Sequence, residues 1–275
     1  MNNPKTVFIT GCSSGIGAAL AQEFHKRGHR VFASARRLAA LQDLQDQGVQ
    51  TLELDVNDGA SIGRALTTLQ STTGHIDILI NNAGYGQFGA IMDAETEDLR
   101  QQFETNVFAP VAVTRAALPL LRQNGAGLVA NMGSVSGILT TPFAGIYCAS
   151  KAALHAVSDA MRLELAALGV QVVTIQPGGI ASNFGATGAT QVKLPLGSLY
   201  TPISRYVLGR AKASQRGATP VDLFAREVVD HLLQAKPPAV CRTGAHSTRL
   251  TMLKRWLPTR MLDRKLQKLF GLNQL

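Results

Sequence analysis

A tyrosine and a lysine stand four residues apart, at Tyr147 and Lys151, a spacing that places both side chains on one face of a helix. A free tyrosine ionises near pH 10, about three units above neutrality, so alone it is a poor acid or base in the cell. A nearby ammonium group stabilises the phenolate and thereby favours proton transfer. Because such a pair is common by chance, its meaning depends on the residues around it.

Two other polar residues are candidates for the same site. Ser134 follows a predicted strand, thirteen residues before Tyr147, where its hydroxyl could hold a substrate oxygen. Asn106 lies inside a predicted helix, a poor position for asparagine unless its side chain makes specific contacts. The sequence thus places several groups suited to proton transfer in one chain.

Three glycines with the spacing G-x-x-x-G-x-G, Gly11, Gly15 and Gly17, lie between the first predicted strand and the first predicted helix. Glycine permits a tight turn and a close approach to a pyrophosphate, while the helix N-terminus offers free N–H groups. Such a cluster can also be a tight turn and nothing more. Its place after the first strand favours a dinucleotide site, which includes the intervening Ser13, Ser14 and Ile16.

The end of the second predicted strand indicates which dinucleotide binds. NAD-selective folds usually place a carboxylate about 20 residues beyond the glycines, against the ribose. Here Arg36 and Arg37 follow the strand and no carboxylate is available. A guanidinium can bind a 2′-phosphate through two hydrogen bonds. The sequence therefore favours NADP(H), the alternative being that both arginines are solvated surface charges.

The elements that must position these groups alternate between strands and helices, which is typical of a doubly wound parallel sheet. The 275 residues suffice for one such domain. We predict a single α/β domain with about seven parallel strands and helices on both faces. The predicted strands are Lys5–Thr10, Arg30–Ser34, Gln50–Leu54, Ile76–Ile80, Leu128–Asn131, Gln171–Ile175 and Ala239–Cys241, and the predicted helices are Ile16–Arg27, Leu38–Gln45, Ser61–Ser71, Glu97–Arg122, Ile146–Leu168 and Pro220–Leu233.

Residues 181–217 interrupt this alternation and are rich in Gly, Ala, Ser and Thr. In a regular α/β chain a long irregular segment is more often a functional lid than a linker. We predict a substrate-binding lid here and a large apolar pocket beneath it, the alternative being that these side chains are ordinary core. The side chains expected to line the pocket are Ile138, Leu139, Pro142, Phe143, Phe184, Leu194, Leu196, Leu199, Tyr200 and Ile203.

The formal net charge is +9, and much of the positive charge lies in a tail at residues 247–275. The tail interleaves basic with apolar side chains, which would suit peripheral contact with an anionic membrane surface. A basic amphipathic helix can equally pack on its own protein, and both alternatives stay open. No nucleic-acid-binding motif accompanies the charge, so we expect no nucleic acid partner.

The cysteines and the N-terminus bear on the compartment. Cys12, Cys148 and Cys241 are odd in number and far apart, and they form no zinc pattern with the histidines, so we expect neither a disulfide framework nor a metal site. Residues 1–5 do not resemble a signal peptide, and no apolar run reaches the roughly 18 residues of a spanning helix. We therefore expect a cytoplasmic protein.

Seven motifs, taken in order, resemble those of the short-chain dehydrogenase/reductase family. They are the turn TGCSSGIG, Asp55, the run NNAG, Asn106, Ser134, the pair Tyr147 and Lys151, and Pro177-Gly178. The resemblance covers roughly residues 5–180. Stretches such as Pro142-Phe143 and Tyr147–His155 further resemble the branch that contains 17β-hydroxysteroid dehydrogenases, retinol dehydrogenases and acyl-dihydroxyacetone-phosphate reductases.

The resemblance implies a Rossmann fold and a role for each matching residue. Tyr147 would be the catalytic acid/base, and Lys151 would lower its pKa and bind the nicotinamide ribose. Ser134 would polarise the carbonyl, and Asn106 would hold a water of a proton relay. The other cofactor contacts implied are Asp55 and Val56 at the adenine, Arg36 at the 2′-phosphate with Arg37 beside it, Asn82, Ala83 and Gly84 in the cleft, and Pro177, Gly178, Ile180 and Ser182 near the nicotinamide, Ser182 standing where many members have threonine.

These residues lead us to predict NADPH-dependent reduction of a bulky, lipophilic ketone or aldehyde, such as a steroid, retinal or an acyl ketone. An NADP-dependent alcohol dehydrogenase working oxidatively is the first alternative. A non-catalytic NADP(H)-sensing module is the second, although such a protein would be expected to lose Tyr147, Lys151 or Ser134. The resemblance also implies a homodimer or homotetramer that associates through helices near 97–122 and 146–168.

Overall fold

The computed structural model describes residues 3–190, 192–215 and 217–275. Met1 and Asn2, together with two positions of the predicted lid, Gln191 and Arg216, lie outside the described residues. The strands are β1 (Thr6–Ile9), β2 (Arg30–Ala35), β3 (Gln50–Glu53), β4 (Ile78–Asn81), β5 (Gly127–Met132), β6 (Val170–Pro177), β7 (Ile180–Ala181), β8 (Thr219–Pro220) and β9 (Val240–Thr243).

Among the described residues, seven strands form one sheet in the order β3-β2-β1-β4-β5-β6-β9, and each neighbouring pair is parallel. The short strands β7 and β8 pair separately. The helices are α1 (Gly15–Lys26), α2 (Gln42–Asp46), α3 (Gly59–Thr73), α4 (Thr96–Phe103), α5 (Ala109–Arg122), α6 (Gly145–Ala166), α7 (Phe184–Thr190), α8 (Ser204–Gly209), α9 (Val221–Leu232), α10 (Ser247–Trp256) and α11 (Thr259–Leu269). The predicted single-domain Rossmann fold is confirmed.

Helices cover both faces of the sheet because successive strand residues point to opposite sides. In β1, Val7 and Ile9 pack into a core with α1 and α9, whereas Phe8 packs into a second core with α3 and α5. All four β1 residues are buried, as expected of a parallel strand covered on both faces. The two cores fix the sheet between its helical layers.

The strand order reverses between β1 and β4, which are neighbours in the sheet although two strands separate them in the sequence. Open α/β sheets bind ligands in the crevice beyond the carboxyl ends of the strands at such a point. Gly11 follows β1 and Asn82 follows β4, so the fold brings the glycine turn and the NNAG run together at this crevice.

The helix predicted at Glu97–Arg122 is two helices joined by a π turn at Glu104–Phe108. Within it the N–H of Ala109 donates to the carbonyl of Glu104, five residues back. The interruption is centred on Asn106 and not on a proline. Pro110 follows directly in α5 and has no N–H to donate to the preceding turn.

The lid segment and the tail contain more regular structure than the sequence indicated. Residues 181–217 include α7 and α8, both short. The tail forms α10 and α11 instead of one amphipathic helix, because Leu257 before Pro258 takes an extended conformation. Trp256 stays 73% exposed while Leu262 is buried. The tail thus packs partly on the protein, and its contact with a membrane stays a prediction. Separately, no helix in the described ranges has the length and apolar character needed to cross a bilayer.

A core substitution tests the packing of α1. Leu20 is fully buried against the sheet, so Leu20→Ala should lower the free energy of unfolding by about 3 kcal/mol through lost burial and a residual cavity. Urea unfolding followed by circular dichroism measures this. Leu196→Ala, at a fully exposed leucine, is the matched control and should change it by less than about 0.5 kcal/mol. Equal effects would contradict the described core.

Candidate active site

A cleft of about 880 Å³ opens at the carboxyl ends of the strands. Most residues predicted for the site line it, whereas Arg37 and Asn106 do not. The predicted residues that line the cleft are Gly11, Ser13, Ser14, Gly15, Ile16, Gly17, Arg36, Asp55, Val56, Asn82, Ala83, Gly84, Ser134, Tyr147, Lys151, Pro177, Gly178, Ile180 and Ser182.

The glycine turn packs directly against the chain that follows β4. Gly11 has a φ of +73°, and a Cβ there would lie 2.7 Å from the Cα of Ala83. A Cβ on Gly17 would approach the carbonyl oxygen of Gly11 even more closely. The amide of Asn82 donates to the carbonyls of Thr10 and Gly11, both at 2.9 Å. Larger side chains at these glycines would separate the two segments.

The N-terminus of α1 presents free N–H groups to the cleft. Its N-cap residue Ser14 makes no capping hydrogen bond with its side chain, and the first turn holds no acidic residue. Residues 13–17 line the cleft. Since the helix dipole and uncapped N–H groups attract anions, this end of the cleft fits a pyrophosphate.

Arg36 and Arg37 are both exposed, but only Arg36 faces the cleft. Neither forms an ion pair with a described residue. Asp55, at the end of the neighbouring β3, accepts the N–H of Asn57 at 3.0 Å through its own carboxylate. Of the two predicted arginines, Arg36 is therefore the one that could contact a ligand in the cleft.

Tyr147 and Lys151 lie on α6 at the inner end of the cleft, and both are more than nine-tenths buried. Burial raises the pKa of Tyr147 to about 12, against the opposing effects of the Ser134 hydroxyl and the charge of Arg210. Desolvation of the phenolate outweighs these neighbours, and the lowering of its pKa by Lys151 stays a prediction. Tyr147 is thus a protonated acid at neutral pH.

Lys151 is held beside Tyr147 by the backbone. Its Nζ donates to the carbonyl of Met132 at 2.7 Å and lies 5.9 Å from the centre of the Tyr147 ring. Burial lowers the pKa of Lys151 to about 8. The ammonium is therefore charged below that pH and close to the phenol that it would assist.

Ser134 is positioned by His155, to which the sequence analysis assigned no role. The N–H of Ser134 donates to Nε2 of His155 at 3.3 Å. Burial lowers the pKa of His155 to about 4, so the ring is neutral and can accept. Gly133 and Gly137 leave room for it, since a Cβ on either would lie within 3 Å of the ring. No local pattern could reveal this contact, because α6 delivers His155 from 21 residues away.

Asn106 supports the cleft from behind. It is fully buried, its Oδ1 accepts the N–H of Tyr85, and its Nδ2 donates to the Tyr85 carbonyl and to Ser150 Oγ. Gln102, one turn earlier, bonds to the backbone of Tyr85 and Gln87. Both side chains hold the loop after NNAG in place. The predicted water-holding role of Asn106 stays a prediction.

Residues 5–192 match the family model described as short chain dehydrogenase. The chain belongs to this family. It is 36% identical over 262 residues to the short-chain dehydrogenase cctT of Talaromyces islandicus, which covers 94% of this chain and 92% of that protein. A short-chain dehydrogenase structure from Streptomyces avermitilis has a TM-score of 0.82 at 28% identity and covers 100% of this chain and 98% of that one.

A third similar protein is a serine dehydrogenase whose closed form is complexed with NADP⁺, with a TM-score of 0.75 at 26% identity over 87% of this chain and 94% of that one. The family assignment confirms the resemblance and makes this chain an oxidoreductase of the short-chain dehydrogenase family. The steroid, retinol and acyl-ketone branch stays a prediction.

The apolar wall of this short-chain dehydrogenase differs from the one expected. Of the ten predicted pocket residues, Leu139 and Phe184 line the cleft. Phe184 forms an aromatic cluster with Phe88 and Tyr147, whose ring centres lie 5.4–6.1 Å apart. The remaining eight do not line the cleft: Ile138, Pro142, Phe143, Leu194, Leu196, Leu199, Tyr200 and Ile203.

The tail and the lid segment contribute further cleft residues that the sequence did not indicate. Phe270, from the end of the tail, lines the cleft and packs against Phe143 with ring centres 6.3 Å apart. Arg210 lies after α8 and is buried beside Thr141. Neither position carries a local motif, because each reaches the cleft only through tertiary packing.

The pKa of Lys151 can be tested directly. In the protein labelled with ¹⁵N-lysine, the Nζ signal of Lys151 should titrate near pH 8, being protonated below and neutral above, because burial disfavours the charged form. Its absence from the spectrum of Lys151→Arg identifies the signal. The exposed Lys236 and Lys254 provide reference signals in the same sample. A Lys151 signal that stays charged to pH 10 would contradict the described burial.

Proposed function

We propose that this chain is an NADPH-dependent reductase of ketones or aldehydes that carry a bulky, lipophilic group. The observation that carries the proposal is a buried Tyr147 that lines the same cleft as Ser134, Lys151 and the glycine turn, with the Lys151 Nζ 5.9 Å from the centre of its ring. An acid of this kind is what carbonyl reduction requires, since the developing alkoxide needs a proton.

The cofactor assignment rests on three features of the cleft. The glycine turn allows close approach of a pyrophosphate, and the N-terminus of α1 is uncapped. Arg36 lines the cleft where NAD-selective proteins have a carboxylate. The same fold binds either dinucleotide, so the residue at the ribose decides whether NAD(H) or NADP(H) is preferred. The NADP⁺ held by the similar serine dehydrogenase supports the choice.

Bound NADPH would supply the hydride to the carbonyl carbon. Tyr147 donates its phenolic proton to the carbonyl oxygen, and the hydroxyl of Ser134 donates a hydrogen bond to the same atom. Lys151, charged below pH 8, stabilises the phenolate left on Tyr147. Asn106 and Gln102 keep the loop at residues 85–87 in place, which preserves the width of the cleft.

The reductive direction rests on the NADP(H) assignment. Tyr147 would act as the acid in that direction and, once deprotonated, as the base in the other. The oxidative alternative uses the same residues. Alkaline pH would favour it because alcohol oxidation releases a proton. A sensing module has no use for the buried triad of Ser134, Tyr147 and Lys151, which makes it the weakest of the three.

The walls of the cleft suggest the substrate class. Leu139, Phe88, Phe184 and Phe270 provide an apolar surface around Tyr147, which suits a lipophilic group. The segment at residues 181–217 contributes Phe184 to this wall, in keeping with its proposed role as a lid. The steroid, retinal and acyl-ketone classes stay within the proposal.

Assembly as a homodimer or homotetramer is also part of the proposal. Leu99 and Phe108 near α4 and α5, and Leu163 on α6, are large apolar side chains exposed on the helices expected to associate. A cytoplasmic location and contact of the tail with a membrane stay predictions.

Removing the phenolic hydroxyl tests the mechanism. Tyr147→Phe should lower turnover of a bulky aldehyde such as retinal by at least about 100-fold, because the proton donor is lost. Loss of the nicotinamide absorbance measures turnover, and nicotinamide fluorescence should show NADPH affinity within about twofold of the wild type. Tyr206→Phe, outside the cleft, is the control and should keep full activity. Comparable turnover in Tyr147→Phe would contradict the assignment.

A charge reversal tests the cofactor assignment. Arg36→Asp should reduce the ratio of kcat/KM for NADPH to that for NADH by at least about 30-fold, roughly 2 kcal/mol, because a carboxylate repels the 2′-phosphate. Arg37→Asp introduces the same charge change next to it, outside the cleft, and should have a much smaller effect. An unchanged NADPH preference in Arg36→Asp, or equal shifts in both variants, would refute the role of Arg36.

A further inference from the structure

A guanidinium is buried in the apolar part of the cleft. Arg210 is 8% exposed and lines the cleft. Its Nε and Nη2 donate to the Oγ1 of Thr141 at 3.0 and 2.8 Å. Its Cζ lies 5.4 Å from the centre of the Phe88 ring and 6.0 Å from that of Phe270. The charge therefore stands between two aromatic walls of the substrate region.

Arg210 has no counter-charge among the described residues. Within the described ranges no carboxylate lies within 4.0 Å of the guanidinium, and its hydrogen-bond partner Thr141 is neutral. Burying an unpaired charge is costly, and burial lowers the pKa of Arg210 accordingly. A guanidinium has five N–H donors, of which Thr141 receives two, so others stay available to a ligand.

The other charges of the inner cleft are already engaged. Asp98 pairs with Lys193 at 2.8 Å, and the ammonium of Lys151 donates to the Met132 carbonyl. Arg36 lies at the far end, after β2. An anionic substrate group in the apolar region would therefore find its partner in Arg210, whose planar donors match a carboxylate.

We propose that the substrate of this reductase is an oxo acid whose carboxylate pairs with Arg210. The inference rests on the proposed function and narrows its substrate class to an amphipathic carbonyl compound, apolar along Phe88 and Phe270 and anionic at one point. A single guanidinium supplies one positive charge, which matches a carboxylate better than a phosphate dianion. Arg210 is also within electrostatic reach of Tyr147, so one substrate could contact both residues.

Two structural roles for Arg210 compete with recognition. The bonds to Thr141 join the segment after α8 to the loop before α6, and the positive charge favours the Tyr147 phenolate. Either role would affect every substrate equally. Recognition of a carboxylate affects only substrates that carry one, so matched pairs of acid and ester separate the possibilities.

The experiment compares 4-formylbenzoate with methyl 4-formylbenzoate, and 12-oxododecanoate with its methyl ester, in wild type, Arg210→Met and Arg210→Lys. Wild type should prefer each acid, and Arg210→Met should lower the acid-to-ester ratio of kcat/KM at least about tenfold. Arg210→Lys should recover part of the ratio because it keeps the charge without the planar donors. Lys212→Met removes an exposed neighbouring charge and should leave the ratio unchanged.

A binding measurement makes the inference independent of turnover. Laurate, methyl laurate and dodecyl phosphate are titrated into the NADP⁺-saturated protein, followed by isothermal titration calorimetry. Laurate should bind more tightly than its ester and should lose at least about tenfold in affinity in Arg210→Met. If Arg210→Met lowers the affinity for dodecyl phosphate but not for laurate, the carboxylate assignment is overturned.

The outcomes distinguish this inference from the proposed function. An acid-to-ester ratio that Arg210→Met leaves unchanged, or losses equal on acid and ester, would overturn the recognition role while the reductase stands. If wild type reduces none of the four aldehydes, the proposed function fails. The laurate titration alone then decides whether Arg210 binds a carboxylate. Equal affinity for laurate in wild type and Arg210→Met would then refute the inference.

Discussion

The active site of this short-chain dehydrogenase depends on the close contact between the chain after β1 and the chain after β4. Gly11 and Gly17 leave space that a Cβ would fill, and the amide of Asn82 bonds to the carbonyls that the turn would otherwise leave without a partner. This contact forms at the reversal of strand order, where the sheet opens into a crevice. The uncapped start of α1 faces that crevice, as do the arginine after β2 and the tyrosine on α6. Loosening the contact would displace all of them together.

Burial then sets the chemistry of the side chains that the fold delivers. It raises the pKa of Tyr147 to about 12 and lowers that of Lys151 to about 8, so the phenol keeps its proton while the amine lies near its titration point. It also keeps His155 neutral, as an acceptor for the backbone of Ser134. Arg210 is buried as well, and no described carboxylate forms an ion pair with it. One physical effect thus acts on the proposed acid, the proposed stabilising cation and the proposed binding group.

The sequence was sufficient to predict the sheet, the glycine turn and the Tyr147–Lys151 pair, because each depends on local pattern or on motif order. The π turn around Asn106 was not predicted, because a single π turn leaves no periodic pattern in the sequence. The partners of the Asn106 side-chain amide also lie far from it in the chain, at Tyr85 and Ser150. Arg210 and His155 escaped because tertiary packing alone brings them to the site. Eight of the ten predicted pocket residues do not line the cleft, for a related reason: apolar side chains such as Phe143 and Leu199 look alike in sequence, although one is buried away from the cleft and the other is exposed.

The central claim is that this chain moves a hydride from NADPH to a carbonyl carbon while Tyr147 supplies the proton. The most direct measurement uses NADPH deuterated at the hydride-donating carbon, with retinal or 12-oxododecanoate as acceptor, and mass spectrometry of the alcohol formed. We expect one deuterium at the carbinol carbon from one of the two stereospecifically labelled cofactors and none from the other. Bound NADPH with no alcohol formed, or alcohol formed without deuterium from either label, would contradict it.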